Sequence, residues 1–452
     1  MYSKQNSGEG TIVGGSGIEL AAPARARRTP LTSAQRRGFW AAWSGWTLDG
    51  MDAFIYALVL SPALTELLPK SGLSSAPADV AFCGSVLFAL FLVGWAAAFV
   101  WGPLADRFGR TRTLAASVLV YSVFTGAAAL AQNVWELAAF RLLAGVGIGG
   151  EWALAGTYVA EAWPEDRRKM GAGYLQTGYY AGFFLAATLN YTVGATFGWR
   201  AMFLCGLAPV ILSLYIVFKV KEPERWQTAA AGETAAADAP RVSPLRAIFS
   251  PPYTRRTLVN AALLTVSIVG LWAGAVYEPT AIITLAKHAG MDQMHAARTA
   301  SLGTGLLSIG TILGCLAAPV LCEMLGRRAS LAIFFAGMAV CIGLSFGWAF
   351  YLPNGLTTFT ILLFFLGFFG GNFAIYSLWL PEQYGTAVRA TAFAFTTSFG
   401  RLVSAGVNFL LGWAIQQHGS LGMPVAGTAW AFLLGIALIP LALETRGERL
   451  PD

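Results

Sequence analysis

"GPLADRFGRTR", residues 102–112, is a polar break between two apolar runs. The run before it, "VAFCGSVLFALFLVGWAAAFVW" from Val80, has the roughly 20-residue length that crosses a bilayer core. A related break, "PVLCEMLGRRA" at 319–329, follows another such run. At an offset of 217, Leu104, Asp106, Gly109 and Arg110 meet Leu321, Glu323, Gly326 and Arg327. At an offset of 222, Gly145, Gly149 and Arg167 meet Gly367, Gly371 and Arg389. The chain therefore reads as two copies of one unit. Repeated halves of apolar helices are the sequence mark of many transporters.

Composition supports a membrane reading. The 452 residues are 56% hydrophobic and 12% charged, against about 25% charged in soluble domains. Twelve apolar runs start near Phe39, Val80, Thr113, Val134, Gly171, Arg200, Thr257, Thr299, Ala329, Leu356, Val388 and Val425. Runs of this length exclude a barrel, whose strands are short and alternating. The expected fold is all-α: twelve transmembrane helices in two pseudo-symmetric six-helix bundles. Residues 1–38 read as a disordered cytoplasmic tail, 39–218 as the first bundle and 257–444 as the second. Between the bundles, 219–256 is a cytoplasmic linker containing "QTAAAGETAAADAPRVSP". Residues 445–452 form a second tail.

The net charge of +7 is an orientation signal rather than a nucleic-acid footprint. Of 30 Lys and Arg, 24 fall in the tails and even-numbered connections. Only Lys70, Arg200, Lys287 and Arg298 fall in the opposite loops. This positive-inside pattern puts both termini in the cytoplasm, and the inner membrane is the expected location. The five cysteines lie in or at the ends of apolar runs without metal-ligand spacing, and read as packing residues. His288, His295 and His418 fall in outer loops. "GVGIGG" (145–150) has dinucleotide-loop spacing but no preceding strand, so close helix packing explains it better. The expectation is a monomeric, non-enzymatic protein without cofactor or metal, with protons as the coupling ion, the bilayer as its surroundings and a small carboxylate as its partner.

"GWTLDGMDAF" (45–54) places Asp49 and Asp52 on one face of the first helix. Counted from Phe39, they lie about 15 and 20 Å into a core of about 30 Å. One aspartate at that depth costs on the order of 3 kcal/mol, so function is the default reading. Repulsion and desolvation oppose ionising both, and the pair exchanges protons as a unit. An aspartate that only pairs with an arginine to hold the bundle is the plainer alternative, and a sodium site a lesser one. Gly50 between them permits close helix approach.

Arg141 is expected about 10 Å into the fourth helix, at a depth that Asp52 also reaches. It is assigned to proton coupling and substrate binding, with a static ion pair as the alternative. Arg401, about 20 Å into the eleventh helix, has no acidic sequence neighbour. It is the candidate anchor for a substrate carboxylate, unless another helix supplies it with a carboxylate partner. Coupling and gate-lining both fit Glu151. Glu278, followed by Pro279, is expected at an outer gate or as an interfacial residue. Tyr179 and Tyr376 are candidates to stack on a substrate ring or to pack, with Trp43, Trp46, Tyr56, Trp152, Tyr180 and Trp379.

"GPLADRFGR" resembles the signature loop of the major facilitator superfamily, and "PVLCEMLGR" a degenerate copy with Pro319 and Glu323. "AAWSGWTLDGMDAFIYALVL", "GGEWALAGTYVAEAWPEDRR" and "GWRAMFLCGLAP" are similar to sialic acid:proton symporters. "YGTAVRATAFAFTTSFGRL" (384–402) is more similar to aromatic acid:proton symporters, where Gly385 replaces a usual Pro. The resemblance implies two bundles, a central cavity and alternating access. It implies that Arg141 participates in proton transfer. It also implies that Gly102, Asp106 and Arg110, with Glu323 and Arg327, latch the bundles while the cavity faces outward. The expected function is import of a small organic anion (sialic acid, an aromatic acid or a short carboxylate) by proton symport. An exporter, an uncoupled facilitator or a non-transporting ligand sensor are the rival readings.

Overall fold

The computed structural model describes residues 29–101, 104, 110–149, 152, 159, 163–219, 244–448 and 451. Among them every regular element is helical. The first half contains α1 (Ser33–Lys70), α2 (Pro77–Ala97), α3 (Arg110–Ala127), α4 (Val134–Ile148), α5 (Glu165–Leu189) and α6 (Trp199–Tyr215). The second contains α7 (Thr254–His288), α8 (Gln293–Leu325), α9 (Arg327–Tyr351), α10 (Gly355–Gln383), α11 (Thr386–His418) and α12 (Gly422–Leu441).

Nine helices among the described residues are long and apolar enough to cross a membrane. The described part of α4 stops at Ile148, and α6 is a shorter apolar helix. Within α5 the stretch "GYLQTGYYAG" (173–182) is small and polar rather than aliphatic. That suits an interior helix, because α5 is packed between α1 and α8.

α1 starts at Ser33, ahead of the apolar run at Phe39, because Thr32 caps it. The Gln35 amide donates to Thr32 Oγ1 at 3.2 Å, and the Thr32 amide donates to Gln35 Oε1 at 2.9 Å. This capping box satisfies two end donors. At the start of α8 the His295 amide donates to Asp292 Oδ1 at 2.7 Å, which holds the Asp292 carboxyl below its usual range. Residues 244–256, read as linker, are folded: a short helix at Pro244–Ile248 buries Ile248, and α7 begins at Thr254.

The two halves repeat one packing scheme. α1 packs on α5, α2 on α4 and α3 on α6; α7 packs on α11, α8 on α10 and α9 on α12. Glycines permit the closest of these contacts. A Cβ on Gly145 would strike the Phe91 carbonyl, and one on Gly367 the Leu307 carbonyl. Likewise Gly94 meets the Leu142 carbonyl and Gly310 the Phe364 carbonyl. Gly145 and Gly367 are partners in the sequence repeat, so the repeat is a repeat of backbone contacts.

Between the halves, α2 meets α11, α5 meets α8 and α1 meets α7. At the end where α1 begins, Lys169 Nζ lies 3.0 Å from Glu323 Oε1. At the far end Asn190 Nδ2 donates to Ser301 Oγ at 3.0 Å, and Gln416 Nε2 to Asp79 Oδ1 at 2.8 Å. Ser85 and Tyr277 share a hydroxyl contact on that side too. The halves thus touch on both sides of the midplane.

Candidate functional site

Asp49 and Asp52 lie near the middle of α1 and are fully buried, each 0% exposed. Their position is set by backbone contact with α5. A Cβ on Gly50 would strike the Tyr179 carbonyl, and one on Gly182 the Thr47 carbonyl. α1 therefore lies flat on α5, with both carboxylates turned into the bundle.

Each aspartate faces a different arginine. Asp52 lies in the field of Arg141 from α4, beside Thr125 of α3. Asp49 lies in the field of Arg401 from α11, beside Tyr179. One arginine belongs to each half, so the i, i+3 pair on α1 connects two cationic centres across the bundle.

Neither arginine has a carboxylate oxygen within 4 Å among the described residues. The expected Arg141–Asp52 contact is thus a through-space pairing rather than a bonded ion pair. Rings hold the guanidinium groups instead. The Arg141 guanidinium carbon lies 4.2 Å from the Phe91 ring centre and 4.5 Å from that of Tyr56. That of Arg401 lies 4.2 Å from the Trp95 ring and 5.9 Å from Trp152. Ring faces attract cations while leaving their N–H donors uncommitted. Arg141 is fully buried, and its Nε, Nη1 and Nη2 make no hydrogen bond among the described residues. A buried charge in this condition is costly unless another group neutralises it.

An aromatic wall completes the centre. Trp46 stacks on Tyr179 at 4.5 Å and on Trp152 at 5.9 Å. Trp152 meets Phe393 of α11 edge-on at 4.8 Å, and Trp272 of α7 meets Phe88 of α2 at 5.0 Å. Among the described residues the Nε1 atoms of Trp46 and Trp152 and the hydroxyl of Tyr179 make no hydrogen bond. Apolar faces with a few convergent polar atoms are what a small-molecule site requires.

Other sequence candidates fall elsewhere. The Tyr376 hydroxyl donates to the Leu263 carbonyl at 2.8 Å and accepts from Ser267 at 3.1 Å, which ties α10 to α7. Glu278 is not interfacial: it is 0% exposed and accepts from Thr304 Oγ1 at 3.1 Å. Arg327 is buried and bound by Glu382 through two bonds, Nε–Oε2 at 3.0 Å and Nη2–Oε1 at 2.8 Å. Glu323 meets both Lys169 and Arg327. Arg110 opens α3, and its side chain lies outside the described residues. Gly102, Asp106 and Glu151 lie outside them as well.

Sequence reading missed Trp95, Lys169 and Glu382. Trp95 looks like any interior tryptophan until Arg401 is placed over it. Glu382 stands 55 residues from Arg327, and Lys169 stands 154 from Glu323, separations that no local pattern reveals.

Known proteins share this architecture. A solved structure described as the partially occluded inward-open conformation of the xylose transporter XylE from Escherichia coli superposes with a TM-score of 0.72. The match is 20% identical and covers 93% of this chain and 100% of that one. The "Probable 4-methylmuconolactone transporter" of Cupriavidus pinatubonensis is 31% identical over 91% of each chain. The "Niacin transporter NiaP" of Acinetobacter baylyi is 26% identical over 91% of this chain and 94% of its own. The Major Facilitator Superfamily profile matches residues 42–408. This chain, a non-enzymatic multi-pass membrane transporter for a small molecule, belongs to the Major Facilitator Superfamily.

Proposed function

We propose that the protein imports a small organic anion together with protons across the inner membrane, with both termini in the cytoplasm. The observation that carries this reading is the pair of buried carboxylates, each facing a buried arginine from a different half. Orientation rests on the clustering of Lys and Arg in the tails and even-numbered connections.

Arg401 holds the cargo carboxylate. Its planar fork suits two parallel hydrogen bonds, and its ring contacts leave the fork available. A cargo anion on Arg401 displaces the influence of Asp49, which then takes up a proton. Asp52, in the field of Arg141, is the other member of the pair, and one proton held between the two carboxylates balances one cargo anion. A loaded, neutral centre passes through a dry occluded state more easily than one with an uncompensated charge. Trp46, Trp152 and Tyr179 stack on the cargo, while Tyr376, bonded to α7, holds α10 in place. Relatives named for 4-methylmuconolactone and niacin fit a compact acid, and sialic acid belongs to the same chemical class.

The test is uptake of labelled niacin, benzoate and sialic acid by proteoliposomes under an imposed pH gradient. Accumulation of one of them above equilibrium only when the outside is acidic is the expected result. Equilibration without accumulation makes the protein a facilitator, and gradient-driven loss from preloaded vesicles makes it an exporter.

A further inference from the structure

Among the described residues, Glu278 is a buried carboxylate that the proposed mechanism leaves unused. Glu278 sits in α7 between α8 and α10, with no exposed area. The hydroxyl of Thr304 on α8 donates to it, at 3.1 Å to Oε2 and 3.3 Å to Oε1. No Lys, Arg or His nitrogen lies within 4 Å of it among the described residues. From α8 it also meets Gly303, where an added Cβ would lie 3.2 Å from Oε1 and also 3.2 Å from Leu363 of α10. No charged side chain on α1, α11 or α12 acts on it among the described residues, and Thr304 is the one side chain that bonds it. Tyr277, its neighbour in sequence, faces Ser85 of α2 instead.

An ionised carboxylate with one hydroxyl donor and no cation is hard to sustain in such a place. A protonated one is not, since a neutral acid needs only ordinary hydrogen bonds. The setting also links this group to movement. Pro279 follows directly inside α7 and removes one helical N–H, which makes this turn the natural flexing point of α7. Tyr277, one residue earlier, makes the hydroxyl contact with Ser85 that joins the two halves on the far side. The carboxyl, the hinge and the inter-half contact therefore occupy three successive residues.

We propose that Glu278 is a second proton-carrying site, separate from the aspartate pair, that opens and closes with the Tyr277–Ser85 contact. With that contact closed, the carboxyl is a neutral acid packed against Thr304. When α7 flexes at Pro279 and the far side opens, the O–H bond transfers its proton to water and leaves a carboxylate. Reclosure requires the proton to return. The site rests on the symport reading and adds a second locus in the other half of the molecule.

The test uses the full chain in phosphatidylcholine vesicles, with protons alone as the probe. Infrared difference spectra are recorded as the pH is stepped, in wild type, Glu278→Gln, Glu278→Asp and Asp49→Asn/Asp52→Asn. A protonated-carboxyl band that survives in the aspartate double variant, shrinks as pH rises, vanishes in Glu278→Gln and is displaced in Glu278→Asp is the expected result. A Glu278 band that is absent or does not change with pH overturns the proposal. If Glu278→Gln is not recovered folded, the displaced band of Glu278→Asp makes the assignment. Bands of Asp49 and Asp52 that ignore pH while that of Glu278 responds defeat the aspartate mechanism and leave this site standing.

Discussion

At position 401 the choice of arginine over lysine decides how an anion is held. The Arg401 guanidinium lies over the Trp95 ring, with Asp49 and Tyr179 as the ionisable groups acting on it. A lysine keeps the charge but loses the planar fork and the ring stacking. Replacing a charge-assisted pair of bonds by a single point contact costs about 1.5–3 kcal/mol, roughly 10- to 150-fold in affinity. Arg401→Lys is therefore expected to raise the apparent KM for uptake by that factor while the protein still reaches the membrane. An unchanged KM removes Arg401 from the cargo site. Arg141 differs in kind, because Tyr56 and Phe91 enclose it and Asp52 is its counter-charge. That arrangement suits a residue that governs a proton rather than cargo.

Between helices, small residues do the positioning. α1 and α5 meet where Gly50 faces the Tyr179 carbonyl, and this contact orients the two aspartates on either side of it. A methyl group there has to push backbone, which does not yield as a side-chain tip does. Overpacking of this kind costs about 1–3 kcal/mol. Gly50→Ala is thus expected to lower the thermal midpoint of the purified protein and to reduce uptake, whereas Gly343→Ala, with open space at its Cβ, leaves both near wild type. Equal behaviour of the two variants contradicts the packing account. The helices themselves were legible in the sequence, because apolar length alone marks a span. So was the place of Asp49, Asp52, Arg141 and Arg401 along their helices, which follows from counting residues. Their pairing was not legible. Which arginine faces which aspartate depends on helix rotation and on contacts between α1, α4 and α11, and a single sequence records neither. Glu278 shows the same limit: its position near Pro279 was clear, but its burial against Thr304 is a property of three helices together.

For the whole molecule, two bundles related by a repeat have to separate first at one end and then at the other. The end where α1 begins is joined by Lys169 and Glu323, a half-exposed pair across the two halves. Such pairs are worth about 0–1 kcal/mol, so breaking this one shifts a population by no more than about fivefold. Lys169→Glu is expected to increase opening at that end, read as faster thiol labelling of a cysteine placed at Ala172. Adding Glu323→Lys should return labelling toward the wild-type rate, and a double variant that labels like the single one refutes the latch. The central claim concerns what drives the cycle. Symport requires Asp49 and Asp52 to take up and release protons where they are buried between the halves. The most direct measurement is a pair of assays on Asp49→Asn/Asp52→Asn in proteoliposomes: exchange of labelled for unlabelled cargo, and accumulation driven only by a pH gradient. The account predicts that exchange persists while accumulation is lost. Uphill accumulation by the double variant, at the wild-type level, contradicts it.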